Sequence, residues 1–255
     1  MIKLSACIEA LYTDVPFIER IEKVANVGLK AFEFWGWGNK DIDAIKEAKD
    51  KFGIEVGTFG ADVGGPLVDP KNREKLPERL KASIEVAKKL GCDGMLVTTG
   101  NEIEGVSRDK QHESIVEGLK VAAEILEPEG MVLSLEPLNV LVNHKGYYLY
   151  TSDEGFQIID EVGSPSVKLL YDIYHQQITE GNLIANITDS IDKISHFHVA
   201  DVPGRHEPGT GEINYKNVFK SIAESGYERF VGLEFWPIGT SDDALKSLLE
   251  MTADM

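Results

Sequence analysis

Four residues in the second half of the chain could together do chemistry that none could do alone: Glu136, Asp172, His198 and Glu234. Each stands at or near the end of a short apolar run. The runs are Leu135-Glu136-Pro137, Leu170-Tyr171-Asp172-Ile173-Tyr174-His175, Ser195-His196-Phe197-His198-Val199-Ala200-Asp201 and Gly232-Leu233-Glu234-Phe235-Trp236. If these runs are neighbouring strands, three carboxylates and one imidazole meet in apolar surroundings. Like charges raise one another's pKa there, and desolvation adds to the cost. A divalent cation removes the conflict. Three oxygen ligands and one imidazole suit Mn²⁺ or Mg²⁺, with Co²⁺ as a third choice, and leave positions open for a small molecule. Zn²⁺ suits the set less well, because its structural sites favour four-coordinate Cys and His. Any one acidic residue at a strand end could equally cap a helix or join an ion pair. Four groups at equivalent places on successive runs are what point to a metal.

Other polar and aromatic residues surround this set. Strand side chains alternate, so His196 shares a face with His198 one layer deeper, where a hydrogen-bonded core histidine is expected. Glu33 is read in the same way, as a member of a buried hydrogen-bonded pair rather than a pocket group. Phe34-Trp35-Gly36-Trp37-Gly38 places Trp35 and Trp37 at one strand end, where they form either a stacking surface for a sugar-like molecule or a hydrophobic plug. His144, Tyr147 and Tyr148 fall in the long segment after Glu136, either lining a pocket or facing solvent; His144 is taken as a substrate-binding candidate. Gly209-Thr210-Gly211 lacks the Lys-Ser/Thr ending of a phosphate loop and reads as a turn at the pocket rim.

The elements that must position these groups repeat one plan. Lys3–Ile8, Ala31–Trp35, Glu55–Gly60, Gly94–Thr99, Met131–Glu136, Val167–Asp172, Ile194–Ala200 and Phe230–Phe235 are short and mostly apolar, as strands covered on both faces are. Amphipathic helical patterns alternate with them, at Phe17–Val27, Asp41–Lys51, Arg79–Leu90, Glu113–Leu126 and Asp242–Met251. Gly28, Gly53, Gly91, Gly130 and Gly226 follow helical patterns, where a left-handed residue ends a helix. Asp14-Val15-Pro16, Thr151-Ser152-Asp153 and Ser241-Asp242 look like helix starts. Strands alternating with helices imply parallel pairing through right-handed crossovers. The first strand runs into Glu9-Ala10-Leu11-Tyr12 without the glycine-rich turn of an open nucleotide-binding sheet. The expectation is therefore an α/β fold, a single-domain (β/α)8 TIM barrel over residues 1–255, with its site at the carboxyl ends of the strands.

Composition narrows the partners. A chain of 255 residues matches one barrel, and no linker-like stretch divides it. Lys and Arg total 26 against 43 Asp and Glu, a formal charge of −17. Nucleic-acid binders need a basic face to displace counterions, so no nucleic-acid partner is expected. No apolar run approaches the ~18 residues of a membrane span, and the start of the chain lacks the pattern of a secretory signal. Cys7 and Cys92 have no metal-type spacing and read as buried thiols of a cytoplasmic protein. A small molecule is the expected partner; a homo-oligomer is compatible with the sequence.

Several motifs carry a family resemblance. Glu136-Pro137-Leu138-Asn139, Tyr171-Asp172-Ile173-Tyr174-His175 and His198-Val199-Ala200-Asp201 resemble the xylose-isomerase-like barrel superfamily. Arg205-His206-Glu207-Pro208-Gly209-Thr210-Gly211-Glu212-Ile213-Asn214-Tyr215 and Gly232-Leu233-Glu234 are most similar to its hydroxypyruvate isomerase group. The resemblance spans nearly the whole chain and is strongest after Met131. It implies that Glu136, Asp172, His198 and Glu234 bind the metal, that Glu136 and Glu234 shuttle a proton, and that His175 and Arg205 contact substrate oxygens. Some members of that group carry Gln where His198 stands; His is the form of related ketose epimerases. The expected activity is aldose–ketose isomerisation of a small hydroxycarbonyl compound, with epimerisation beside a ketone as the alternative. A barrel endonuclease, a lyase acting on oxidised glycosides and a non-catalytic sugar-binding protein are the remaining readings.

Overall fold

Eight parallel strands close on themselves in the computed structural model, which describes residues 2–255. Met1, where the expected domain begins, lies outside the described residues. The strands are β1 (Lys3–Cys7), β2 (Ala31–Gly36), β3 (Glu55–Gly60), β4 (Gly94–Val97), β5 (Val132–Leu135), β6 (Val167–Asp172), β7 (Ile194–Val199) and β8 (Phe230–Leu233). Each pairs with the next in sequence order, and β8 pairs with β1 to close the ring. All eight expected strands are present. Five of them, β1, β4, β5, β7 and β8, end earlier than the apolar run does, because the last residues of each run turn into the loops that build the site.

The outer layer is α1 (Phe17–Val27), α2 (Ile42–Phe52), α3 (Leu76–Leu90), α4 (Arg108–Leu126), α5 (Ser152–Val162), α6 (Ile173–Thr179), α7 (Leu183–Asp189), α8 (Tyr215–Glu224) and α9 (Ser241–Thr252). The apolar spacing explains which face each helix buries. On α3, Leu80, Ile84, Ala87 and Leu90 turn inward at helical intervals, while Lys81, Glu85 and Lys88 stay outside. Gly53, at φ 65°, ends α2 in the left-handed conformation that any side chain would strain.

α1 and α9 start where Asp14-Val15-Pro16 and Ser241-Asp242 pointed. Pro16 sits at the cap position of α1, with no side-chain bond; the fixed φ of proline sets the entry angle instead. Thr240 rather than Ser241 caps α9, accepting from the Asp243 amide at 3.1 Å. The cap expected at Thr151 is made, to Glu154 N at 3.3 Å. α4 begins five residues before the apolar pattern, at Arg108, because its first turn is polar and carries no periodic signal. Cys7 and Cys92 are buried free thiols. No helix among the described residues is long and apolar enough to cross a membrane.

Candidate active site at the carboxyl ends of β5 to β8

Register brings the four residues together. Asp172, the last residue of β6, pairs with His198 of β7, and His198 pairs with Gly232 of β8, two residues before Glu234. Glu136 follows β5 directly, its amide bonded to Val97 O of β4 at 3.0 Å. One ligand atom from each of Glu136, Asp172, His198 and Glu234 lies within 4.8 Å of the others, and all four residues are buried. His198 Nδ1 is 3.3 Å from Glu136 Oε1 and 3.6 Å from Glu234 Oε2.

The electrostatics are those of crowded buried carboxylates. Burial, with repulsion from Glu234 and Asp172, pushes Glu136 above its usual range despite its bond to His198. Burial likewise raises Asp172 against the pull of Arg205. Glu234 stays low: burial opposes ionisation, but His198, Arg205 and a bond from Trp35 outweigh it. His198 is driven well above the ordinary imidazole range, because Glu234 and Glu33 together overcome the desolvation that would lower it. Three acids and one base share a water-poor space, an arrangement that a divalent cation would neutralise.

His198 is held from behind. Its Nε2 lies 2.9 Å from Glu33 Oε1, while the other oxygen of Glu33 takes His196 Nε2 at 3.1 Å. Burial opposes the ionisation of Glu33, but the two imidazoles hold it down at about 2. Glu33 is thus the buried hydrogen-bonded residue the sequence suggested, and His196 the core histidine. Sequence reasoning missed that Glu33 also reaches His198, from β2 on the far side of the barrel. Gly232 makes room for this pair: a Cβ there would run into Glu33 Oε1 and come within 2.6 Å of His198 Cδ2.

The remaining candidates separate into groups at the pocket and groups that support it. Arg205, at φ 59°, ion-pairs with Glu234 and comes within 3.8 Å of Asp172 Oδ2, its guanidinium lying between the rings of Tyr174 and Trp236 at 5.2 and 5.1 Å. Trp35 Nε1 donates to Glu234 Oε1 at 2.6 Å, and its ring lies 6.3 Å from Trp236 at the open mouth. Trp37 leaves the mouth and bonds Ser83 of α3 instead, so only the first tryptophan belongs to the site. His175 is fully buried, 3.6 Å from Asp172 Oδ2, with the ring of His144 5.2 Å away. Burial and Arg205 keep His175 well below the ordinary imidazole range.

Tyr147 and Tyr148 are buried anchors, neither pocket-lining nor solvent-facing. Tyr147 donates to Glu136 O at 2.9 Å and Tyr148 to Glu154 Oε1 at 2.9 Å. The Gly209-Thr210-Gly211 turn wraps a carboxylate of the protein itself. The amides of Gly209 and Gly211 donate to Asp201 Oδ2 at 2.8 and 2.9 Å, which stiffens the rim that carries Arg205.

A cavity of about 830 Å³ opens on the opposite face of the barrel, lined among others by Lys3, Lys30, Gly57, Asp93, Arg229 and Phe230. Arg229 and Asp93 pair with each other there at 2.7 Å. Convergent titratable groups, not size, mark a catalytic cleft, and those are at the carboxyl end.

Comparison with known proteins agrees with this geometry. The family model for the xylose isomerase-like TIM barrel matches residues 21–255. Hydroxypyruvate isomerase of Escherichia coli (strain K12) is 34% identical over 253 residues, 96% of this chain and 98% of its own length. 2-Oxo-tetronate isomerase of Haemophilus influenzae is 30% identical over 247 residues, 94% of this chain and 95% of its own. A crystal structure of AP endonuclease, family 2 from Brucella melitensis, superposes with a TM-score of 0.93 at 28% identity, over 98% of this chain and 99% of that one. A closed eight-stranded barrel, a family match over residues 21–255 and relatives at or above 30% identity lead to one assignment: the chain belongs to the xylose isomerase-like TIM barrel family.

Proposed function

We propose that the chain is a metal-dependent isomerase that moves a carbonyl between adjacent carbons of a small hydroxycarbonyl acid. Hydroxypyruvate and its aldehyde isomer 2-hydroxy-3-oxopropanoate are the smallest such pair. The observation that carries this reading is the buried convergence of Glu136, Asp172, His198 and Glu234 within 4.8 Å. The relatives at or above 30% identity named as isomerases of hydroxypyruvate and 2-oxo-tetronate point to the same substrate class.

The donor set fits one divalent ion, Mn²⁺ or Mg²⁺, with Co²⁺ as an alternative: three carboxylates in oxygen-rich surroundings and one imidazole whose far nitrogen is tied to Glu33. When bound, such an ion polarises the substrate carbonyl and neutralises charge that develops on its oxygens. The protein's own residues do the rest. One of Glu136 and Glu234 takes the proton from the carbon beside the carbonyl, leaving an enediolate, and returns it to the neighbouring carbon. The other moves the remaining proton between the two oxygens, and the pair titrates as a unit. Arg205 and His175 hold substrate oxygens, His144 lies against His175, and Trp35 both orients Glu234 and supplies a flat wall at the mouth.

Epimerisation uses the same first step and returns the proton to the opposite face of the same carbon. A nuclease reading has less support. Only two groups of three or more metal-type ligands occur among the described residues, they share His198, and the charge of −17 opposes DNA.

The reading is tested by stripping the protein with a chelator and restoring Mn²⁺ or Mg²⁺ separately. About one ion per chain and metal-dependent conversion of hydroxypyruvate to the aldehyde are expected. Three tightly held zinc ions, no ion, or no conversion of hydroxypyruvate would each defeat it.

A further inference from the structure

The segment after β5 contains a chain of hydrogen bonds in which nearly every donor is fixed by chemistry. The backbone amides of Val142 and Asn143 donate to Asn139 Oδ1 at 3.0 and 3.2 Å. An amide N–H cannot accept, so that atom of the Asn139 side chain is the oxygen and the other is the NH₂. The NH₂ points at His175 Nδ1, 2.6 Å away, and also donates to Asn143 Oδ1 at 3.1 Å. Asn139's own backbone N–H reaches the same ring nitrogen at 3.2 Å. Two donors therefore converge on Nδ1, which must offer its lone pair to both. The ring proton is left on Nε2. That atom is buried and has no hydrogen-bond partner among the described residues. It lies 3.6 Å from Asp172 Oδ2, beside the cluster of carboxylates.

We propose that Asn139 is a positioning residue that locks His175 in the Nε2-protonated tautomer, so that His175 acts as a neutral hydrogen-bond donor to an oxygen of the substrate. The assignment rests on the isomerase reading for the identity of the substrate, while the tautomer follows from Asn139 and His175 alone. A buried donor without a partner is costly to leave unsatisfied. A ligand oxygen in the pocket relieves that cost, and a preorganised donor contributes most where negative charge grows on that oxygen. Among the described residues no hydrogen bond joins the Asn139 side chain to the carboxylate cluster, so its effect runs through His175.

The test is ¹⁵N NMR of histidine-labelled, Mg²⁺-loaded protein, with His175 assigned by the signals lost in His175→Gln. In the wild type, Nδ1 should carry no proton and Nε2 should carry one, and adding hydroxypyruvate should move the Nε2–H resonance. Asn139→Asp puts a carboxylate oxygen where the NH₂ stands, which should draw the proton to Nδ1. It should lower kcat on the order of 10²-fold and leave Mg²⁺ affinity within about threefold. A wild-type ring protonated on Nδ1, or an Nε2–H signal unmoved by saturating hydroxypyruvate, overturns the proposal without any variant being needed. An Asn139→Asp protein with the swapped tautomer and unchanged kcat overturns it too. If Nε2–H responds to hydroxypyruvate but no isomerisation occurs, the isomerase reading falls and the assignment of donor and positioner stands.

Discussion

The two halves of the barrel solve different problems. Around β2 and β3 the structure is an aromatic stack: Phe34 and Phe59 lie 5.4 Å apart at 9°, and Phe17 of α1 meets Phe34 edge-on at 6.1 Å. From β5 to β8 the strand ends converge in buried charge instead. The first arrangement stabilises, since burying a side chain such as Phe contributes about 1.5–3 kcal/mol. The second costs stability, because like charges are held together out of water. The aromatic half holds the charged half in place, and two residues of β2 cross between them: Trp35, which donates to Glu234, and Glu33, which pairs with His196 and lies 2.9 Å from His198 of β7.

This contrast sets the size of what each change should do. Phe59→Ala should be the most damaging to the fold, about 3–5 kcal/mol by the usual cost of emptying a core site. That is readable as a fall in thermal midpoint of roughly 2–4 °C per kcal/mol. Metal affinity of the folded fraction should be unchanged, and a parallel loss of both would mean the two halves are not separable. Asp172→Asn should do the reverse. Asn can still accept from the His175 amide, as Asp172 does now at 2.9 Å, so α6 keeps its cap. Metal affinity should drop at least about 100-fold, more than the loss of a supporting residue behind a ligand. The chelated protein should melt no lower than wild type, because a repelled carboxylate has gone. Calorimetric titration with Mn²⁺, and melting with and without chelator, read both effects.

Arg205→Ala should act mainly on binding, raising KM about tenfold, the lower end for a charged hydrogen bond, with kcat within about threefold. A fall in kcat with KM unchanged would place the guanidinium in the chemical step. The smallest effect is expected for Trp35→Phe, which keeps the flat ring and loses only the N–H donated to Glu234. Steady-state kinetics should show a loss of no more than about tenfold, the lower end for a hydrogen bond to a charged group. A loss above 10²-fold would make Trp35 more than a wall and a donor.

The same contrast explains how much could be read in advance. The barrel was legible because its signals are local: apolar runs of strand length, helical periodicity and glycines at helix ends. The four ligand candidates were legible because strand ends on one face of a barrel are predictable places. Boundaries slipped where a polar first turn hid a helix start, as at Arg108. α6 and α7 were hidden because Ile173–Thr179 and Leu183–Asp189 are too short to show a period. Glu33 was seen as a buried partner, yet its ionic contact with His198 spans the barrel between strands that do not pair, and nothing local announces it. Asn139 stood inside a recognised motif, but its role depends on a loop conformation that brings the amides of Val142 and Asn143 onto one oxygen. Tyr147 and Tyr148 went inward because that loop folds back on the barrel.

The most direct test of the central claim follows the proton. In heavy water with saturating Mg²⁺, the wild-type protein should wash deuterium into the carbon beside the carbonyl of hydroxypyruvate. Glu136→Gln and Glu234→Gln keep the size and one oxygen of each group but remove the basic carboxylate. Each should lose that exchange, with turnover falling on the order of 10²-fold or more, while added substrate still raises the melting temperature. Exchange at the wild-type rate in both variants would show that neither glutamate carries the proton and would contradict the account.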